Sequence, residues 1–163
     1  MIIQFSRIDD RLIHGQVTTV WVKEAKAERI IICNDEIHQD PIRTTLLKQA
    51  APPGIKVNVV NIEKAVSVYN NPKYEKDTVF YLFTNPHDVV RLVEQGVDIK
   101  KINIGGMAYH EGKTQITKAV SLDANDVDAF NQLDKLGVEL DLRVVYSDPN
   151  VDFIKKINEF KWD

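Results

Sequence analysis

With 163 residues, 44% of them hydrophobic and 28% charged, and a formal net charge of −3, the chain has the composition of a folded globular protein, which excludes a disordered tail and gives no basic surface for nucleic acid. Its one cysteine, Cys33, excludes an internal disulfide framework and a cysteine zinc ribbon, and fits a reducing, cytoplasmic setting. No run approaches the roughly 20 apolar residues of a membrane span, and Gln4, Ser6 and Arg7 stand where a signal peptide would be apolar, so work at a membrane requires a partner to bring the chain there.

Residues 1–163 read as one domain in which apolar runs alternate with helical patterns. Ile2 to Phe5 predict a first strand, and Val17, Val20, Trp21 and Ala25 recur on one face of a following helix. Arg29 to Cys33, "RIIIC", is a strand of the continuous apolar kind expected when both faces are covered. Asp40-Pro41 opens a helix that Pro52-Pro53-Gly54 closes. Val57 to Ile62 is a third strand, followed by a helix ending near Tyr69 to Pro72, and Thr78 to Phe83, "TVFYLF", is a fourth. Asn85-Pro86 starts a helix stopped by Gly96, and "KINIGG" closes a fifth strand on the glycine pair Gly105-Gly106. "ITKAVSL" reads as a short sixth strand, Asp123 and Asp126 as the cap and first-turn acid of a helix ended by Gly137, "ELDLRVV" as a further strand, and Val151 to Phe160 as a final helix. The fold class is therefore α/β, an open, mostly parallel twisted sheet with helices on both faces, and ligands in such folds sit at the carboxyl ends of the strands.

All four histidines, His14, His38, His87 and His110, follow predicted strands and so belong to that edge. His14 stands apart by its company in Arg7 to Gln16, "RIDDRLIHGQ", where the first loop becomes the first helix. Gly15 lets backbone amides approach a ligand, Gln16 offers a side-chain donor, and an anion there faces unpaired amides and the positive end of the helix dipole. Arg7 and Arg11 add positive charge, Arg11 with a planar fork suited to phosphate oxygens. Asp9 or Asp10 can accept a proton from one imidazole nitrogen and leave the other to act as nucleophile. The loop suits a histidine that carries or attacks a phosphoryl group; the plain alternative is a solvated turn in which the aspartates pair with the arginines. Metal-ligand spacing, a dinucleotide fingerprint and a P-loop are all missing from the sequence. Gly105-Gly106 reads as a turn, Trp21 as core and Cys33 as a buried structural thiol.

With that loop in view, "RIDDRLIHGQV" and its tryptophan-bearing helix resemble the signature of the enzyme IIB components of the mannose, fructose and sorbose class of the bacterial phosphoenolpyruvate-dependent sugar phosphotransferase system. The likeness runs on through "NDE" (34–36), "TLLKQAAPPG" (45–54), "VYNNPKY" (68–74), "LFTNP" (82–86), "RLVEQGV" (91–97) and "INIGGMAYHEGKTQITKAVSLD" (102–123), which is essentially the whole chain. The resemblance implies a protein-Nπ-phosphohistidine–sugar phosphotransferase in which His14 takes a phosphoryl group, on Nδ1, from a phosphohistidine of enzyme IIA and passes it to a sugar carried by the membrane components IIC and IID. It implies Arg11, Gly15 and Gln16 as phosphate contacts, Asp10 as an orienting carboxylate, no metal and no cofactor, a separate IIA polypeptide, peripheral membrane association through IIC and IID, and association between copies. It assigns Cys33 no role. Mannose, fructose, sorbose and N-acetylated hexosamines stay open as sugars, with a leaning to mannose or N-acetylgalactosamine. Two other functions stay open as well: a regulatory IIB-like carrier that never phosphorylates sugar, and a phosphatase or mutase using the same histidine.

Overall fold

The computed structural model describes residues 1–162, with every side chain except those of Gln16 and Val17. Strands β1 (Ile2–Asp9), β2 (Arg29–Cys33), β3 (Lys56–Val60), β4 (Thr78–Phe83), β5 (Lys101–Gly106) and β8 (Glu139–Leu142) are parallel, and β9 (Val151–Asp152) pairs antiparallel at one edge, in the order β3-β2-β4-β1-β5-β8-β9. Helices α1 (Gly15–Ala25), α2 (Asp35–His38) and α3 (Pro41–Gln49) contribute Trp21, Val22, Ile37 and Leu47 to an apolar cluster that includes Ile30, Ile32, Phe80 and Leu82. Helices α4 (Ile62–Tyr69), α5 (Pro86–Glu94), α6 (Ala124–Lys135) and α7 (Phe153–Glu159) pack in the other cluster with Ile31, Cys33, Val79, Tyr81 and Phe83. The two clusters alternate along β2 and β4, which is why "RIIIC" and "TVFYLF" are apolar throughout.

Strand β1 has β4 on one side and β5 on the other, while its own crossover leads away past β4 to β2. The carboxyl end of β1 is thus the switch point at which neighbouring connections leave for opposite faces and a crevice opens. A register shift between Ile3 and Phe5 sets what β1 presents there. Ile3 packs with the α5 side, yet Phe5, two residues on, packs with the α1 side, so the bulge reverses the alternation. Arg7 and Asp9 then share the face of Phe5 and α1, and Ile8 faces the opposite core.

Several expectations need correction, the first being that β1 runs on to Asp9 instead of ending at Phe5, so that Arg7 and Asp9 belong to the strand and not to the loop after it. Of "ITKAVSL", only Ser121–Leu122 (β7) is strand, and it pairs antiparallel with Thr114–Gln115 (β6) in a separate ribbon, because Thr117 to Val120 close a turn through Val120 N–H to Thr117 O. The strand of "ELDLRVV" stops at Leu142, and Arg143 onward loops over the α1 face. Val151 and Asp152 pair with β8 before Asp152 caps a helix that starts at Phe153. The glycine pair is no turn either, since both residues lie in β5.

Helices α2 to α7 each begin on an Asn or Asp whose side chain accepts an amide of the first turn: Asn34, Asp40, Asn61, Asn85, Asp123 and Asp152. Helix α1 differs. Its N-cap is His14, with no side-chain cap bond and no acid in the first turn. Among the described residues, no helix is long and apolar enough to cross a membrane, and no cluster of three metal-ligating side chains occurs.

Candidate active site

The site forms where β1 ends. Leu12 N–H donates to Asp9 O at 2.9 Å, and Leu12 adopts a left-handed backbone at φ 60°, unusual for a branched residue. Its side chain is buried beside Trp21 and Ile37, and that burial holds the strained turn. The sharp reversal delivers His14 to the start of α1, where its N–H donates to Thr18 Oγ1 at 3.0 Å.

Asp9 is the hub. Its carboxylate is fully buried, and Oδ2 accepts from Arg7 Nη2 at 2.9 Å and Arg11 Nη2 at 2.9 Å and lies 3.1 Å from His14 Nε2. Oδ1 accepts from the Arg11 backbone at 3.1 Å and from Arg11 Nε at 2.9 Å. Burial pushes the Asp9 carboxyl up, but the Arg11 hydrogen bonds, the charges of Arg7 and Arg11 and the His14 contact outweigh it and hold it below the usual carboxylate range. An ionised Asp9 is an acceptor for a proton on His14 Nε2, and in that tautomer the lone pair of the ring lies on Nδ1.

Arg7 braces the hub from inside the protein. Only 3% of its side chain is exposed; Nη1 donates to Asn103 Oδ1 at 2.5 Å and to Arg143 O at 3.2 Å, and Nη2 reaches Val144 O at 2.8 Å as well as Asp9. Its Cζ lies 5.1 Å from the centroid of Trp21, whose indole stacks on Phe5. Burial lowers the pKa of Arg7 and Asp9 partly restores it. Arg11 faces outward with about half of its side chain, 48%, exposed, and Asp9 raises its pKa.

Of the two aspartates weighed for the imidazole, Asp9 makes the contact. Asp10 turns instead to the loop after β5, where Oδ2 accepts from Ala108 N–H at 2.7 Å. Gly15 is exposed at φ 49°, and the side chain of Gln16 lies outside the described residues. The other histidines share the edge but not the cluster. His38 Nδ1 is 3.2 Å from Val59 O, His87 Nε2 is 3.2 Å from Asp126 Oδ1, and His110 Nδ1 is 3.2 Å from Glu111 O. Cys33 is fully buried and burial pushes its thiol up, so it stays protonated. The sequence reading missed Asn103 and the roof formed by Arg143 and Val144, and it set Gly105 aside as a turn. A polar residue inside the apolar run "KINIGG" was the available signal for Asn103.

The shifted carboxyl has a measurable consequence. The folded pKa of Asp9 lies below its unfolded value of about 3.9, so its contribution to stability is complete above about pH 4 and is lost as pH falls through the lower folded value. Urea midpoints measured from pH 6 down to pH 2.5 are expected to fall steeply below pH 4, and Asp9→Asn is expected to flatten that fall. Equal slopes in the two proteins would show that Asp9 is not the linked group.

The chain is thus an α/β protein with a carboxylate-held histidine at the switch point of an open, mostly parallel sheet. The model of the PTS system sorbose subfamily IIB component family matches residues 3–162, and the chain belongs to that family. It is 68% identical to the PTS system sorbose-specific EIIB component of Klebsiella pneumoniae, over 98% of this chain and 97% of that one. It is 52% identical to the PTS system mannose-specific EIIAB component of Escherichia coli K12, over 98% of this chain and 50% of that one. The crystal structure of the IIBSor domain of the sorbose permease from Klebsiella pneumoniae superposes with a TM-score of 0.97, at 66% identity and full coverage of both chains. The chain is therefore a phosphotransferase component of the sorbose/mannose class that relays phosphate from IIA to sugar.

Proposed function

We propose that His14 carries the phosphoryl group, on Nδ1, and that the sugar is sorbose. The observation behind the first part is the 3.1 Å contact that commits Nε2 to Asp9 and leaves Nδ1 as the nucleophile. In the forward step the Nδ1 lone pair attacks phosphorus of a IIA phosphohistidine in line. The new N–P bond forms as the donor N–P bond breaks, and the proton on Nε2 stays on its hydrogen bond to Asp9. In the second step a sugar hydroxyl attacks phosphorus, the His14 N–P bond breaks, and the hydroxyl proton passes to solvent or a base in the transporter.

Charge on the three transferred oxygens meets the uncapped first turn of α1, the open backbone at Gly15 and the exposed edge of Arg11. Asp10 contributes indirectly by tying the Ala108 loop beside the site. Sorbose is favoured over the mannose or N-acetylgalactosamine read from sequence, because identity is 68% to a sorbose-specific component and 52% to a mannose-specific one.

The test is intact-mass measurement after incubation with phosphoenolpyruvate, enzyme I, HPr and a mannose-class IIA. The native chain is expected to gain one acid-labile phosphate and His14→Ala none. An undiminished gain in His14→Ala overturns the assignment, as does no gain in the native chain from a charged IIA. Membranes bearing IIC and IID then decide the sugar: faster phosphorylation of sorbose than of mannose is expected, and the reverse order overturns that part.

A further inference from the structure

We propose that Asn103 is a positioning residue for the reaction at His14, holding the Arg7 guanidinium, and through it the Asp9 carboxylate, where Asp9 orients the imidazole. The inference rests on the reading of His14 just given.

Arg7 pairs in register with Asn103 across β1 and β5, and Asn103 with Asp141 across β5 and β8. Register partners on adjacent strands point to the same face, so the three side chains form a polar row running across the sheet. All three are buried, with relative exposures of 2%, 0% and 0%, while Ile102, Ile104 and Leu140 beside them fill the opposite core. A buried asparagine in a central strand is costly unless each polar atom is bonded. Asn103 meets that demand in one orientation only. Its Oδ1 accepts from Arg7 Nη1 at 2.5 Å, and its Nδ2 donates to Asp141 O and Arg143 O, both at 3.2 Å, and to Asp141 Oδ2 at 3.4 Å. The amide cannot be reversed without setting donor against donor at Arg7.

The row fixes the guanidinium from several directions. Asn103 takes Nη1, the roof carbonyls of Arg143 and Val144 take further hydrogens, and the missing side chain of Gly105 provides the space: a Cβ there would stand 2.0 Å from Arg7 Cζ. Nη2 is thereby aimed at Asp9 Oδ2, the oxygen that also faces His14 Nε2. The row retains a defect, since Asp141 Oδ1 is buried without a partner. Packing alone is better served by an apolar row, which would shed that cost. Without Asn103, Arg7 Nη1 loses its side-chain acceptor and the unpartnered oxygen of Asp141 competes with Asp9 for the guanidinium.

The experiment compares Asn103→Leu with Ile104→Val, a neighbouring core truncation that touches none of the row and controls for lost stability. Two readouts are taken on the folded proteins: the His14 Nε2–H signal by nitrogen-15 NMR, and the kinetics of phosphoryl acceptance from IIA. In Asn103→Leu the protected Nε2–H signal is expected to be lost to exchange with water, and kcat to fall about tenfold, with KM for IIA held within about twofold. Ile104→Val is expected to lower Tm and leave both readouts native. A native signal and rate in Asn103→Leu, or an equal loss in Ile104→Val, overturns the inference. If the native chain takes no phosphate, the proposed function fails, and the NMR comparison still decides whether Asn103 positions the imidazole.

Discussion

Asp9→Asn is expected to cost about 3–5 kcal/mol of folding stability and to slow phosphoryl acceptance by about a hundredfold or more. The stability loss follows from what surrounds Oδ2. Arg7 is buried with its charge and loses its nearest counterion, while the new amide turns a donor toward Arg7, Arg11 or His14 whichever way it is placed. Removing one partner of a buried ion pair costs far more than the pair itself contributes. A loss of that size is a large fraction of the roughly 5–15 kcal/mol that holds a domain together. The slower transfer follows from the imidazole, whose Nε2–H loses its ionised acceptor at the moment Nδ1 becomes bonded to phosphorus. Urea denaturation gives the first quantity, and rapid-quench phosphorylation at a temperature where the variant stays folded gives the second. Native stability in this variant would mean that Arg7 finds its counterion elsewhere, Asp141 being the candidate.

The second large effect is expected from the smallest change. Gly105→Ala adds one methyl group, yet its Cβ would fall 2.0 Å from Arg7 Cζ and 2.1 Å from Nη2, so the guanidinium has to leave its cradle. Leaving breaks the bonds to Asn103, Asp9, Arg143 and Val144 together. A loss of about 2–4 kcal/mol is expected, with phosphoryl acceptance falling alongside it. Gly106→Ala is the internal comparison, because its Cβ would meet Asp9 Oδ1 at 3.1 Å and Arg11 Nη2 at 3.2 Å, contacts that an outward shift of Arg11 relieves. Thermal melts of the two variants are expected to rank Gly105→Ala well below Gly106→Ala. Equal melting temperatures would show that Arg7 has a second place to sit.

The α/β class and most of the elements were legible because their signals are local. The apolar runs of β2 and β4, the Asp40-Pro41 entry to α3 and the Asp123 cap of α6 each depend on neighbours a few residues away. The prominence of His14 was legible for the same reason: histidine, glycine and the charged residues around them stand within ten consecutive positions. Which aspartate serves the imidazole was not, because Asp9 and Asp10 are adjacent, and the end of β1 at Asp9 and the turn that begins at Asp10 send them to different partners.

That choice was made by the register of β1 against its neighbours. The shift between Ile3 and Phe5 turns Arg7 and Asp9 toward α1 and Trp21; without it, strict alternation from Ile3 would carry both to the α5 side. The sequence by itself determined an alternating α/β chain with a charged, histidine-bearing segment near its first strand, since propensity, capping and periodicity are short-range properties, but it ended that strand at Phe5 where β1 continues to Asp9. Only the tertiary structure decided that Gly105 is space for a guanidinium and that Asn103 and the carbonyls of 143 and 144 complete the site. Those partners lie 96 to 137 residues from Arg7 in the chain and meet it only once β1, β5 and β8 are aligned side by side.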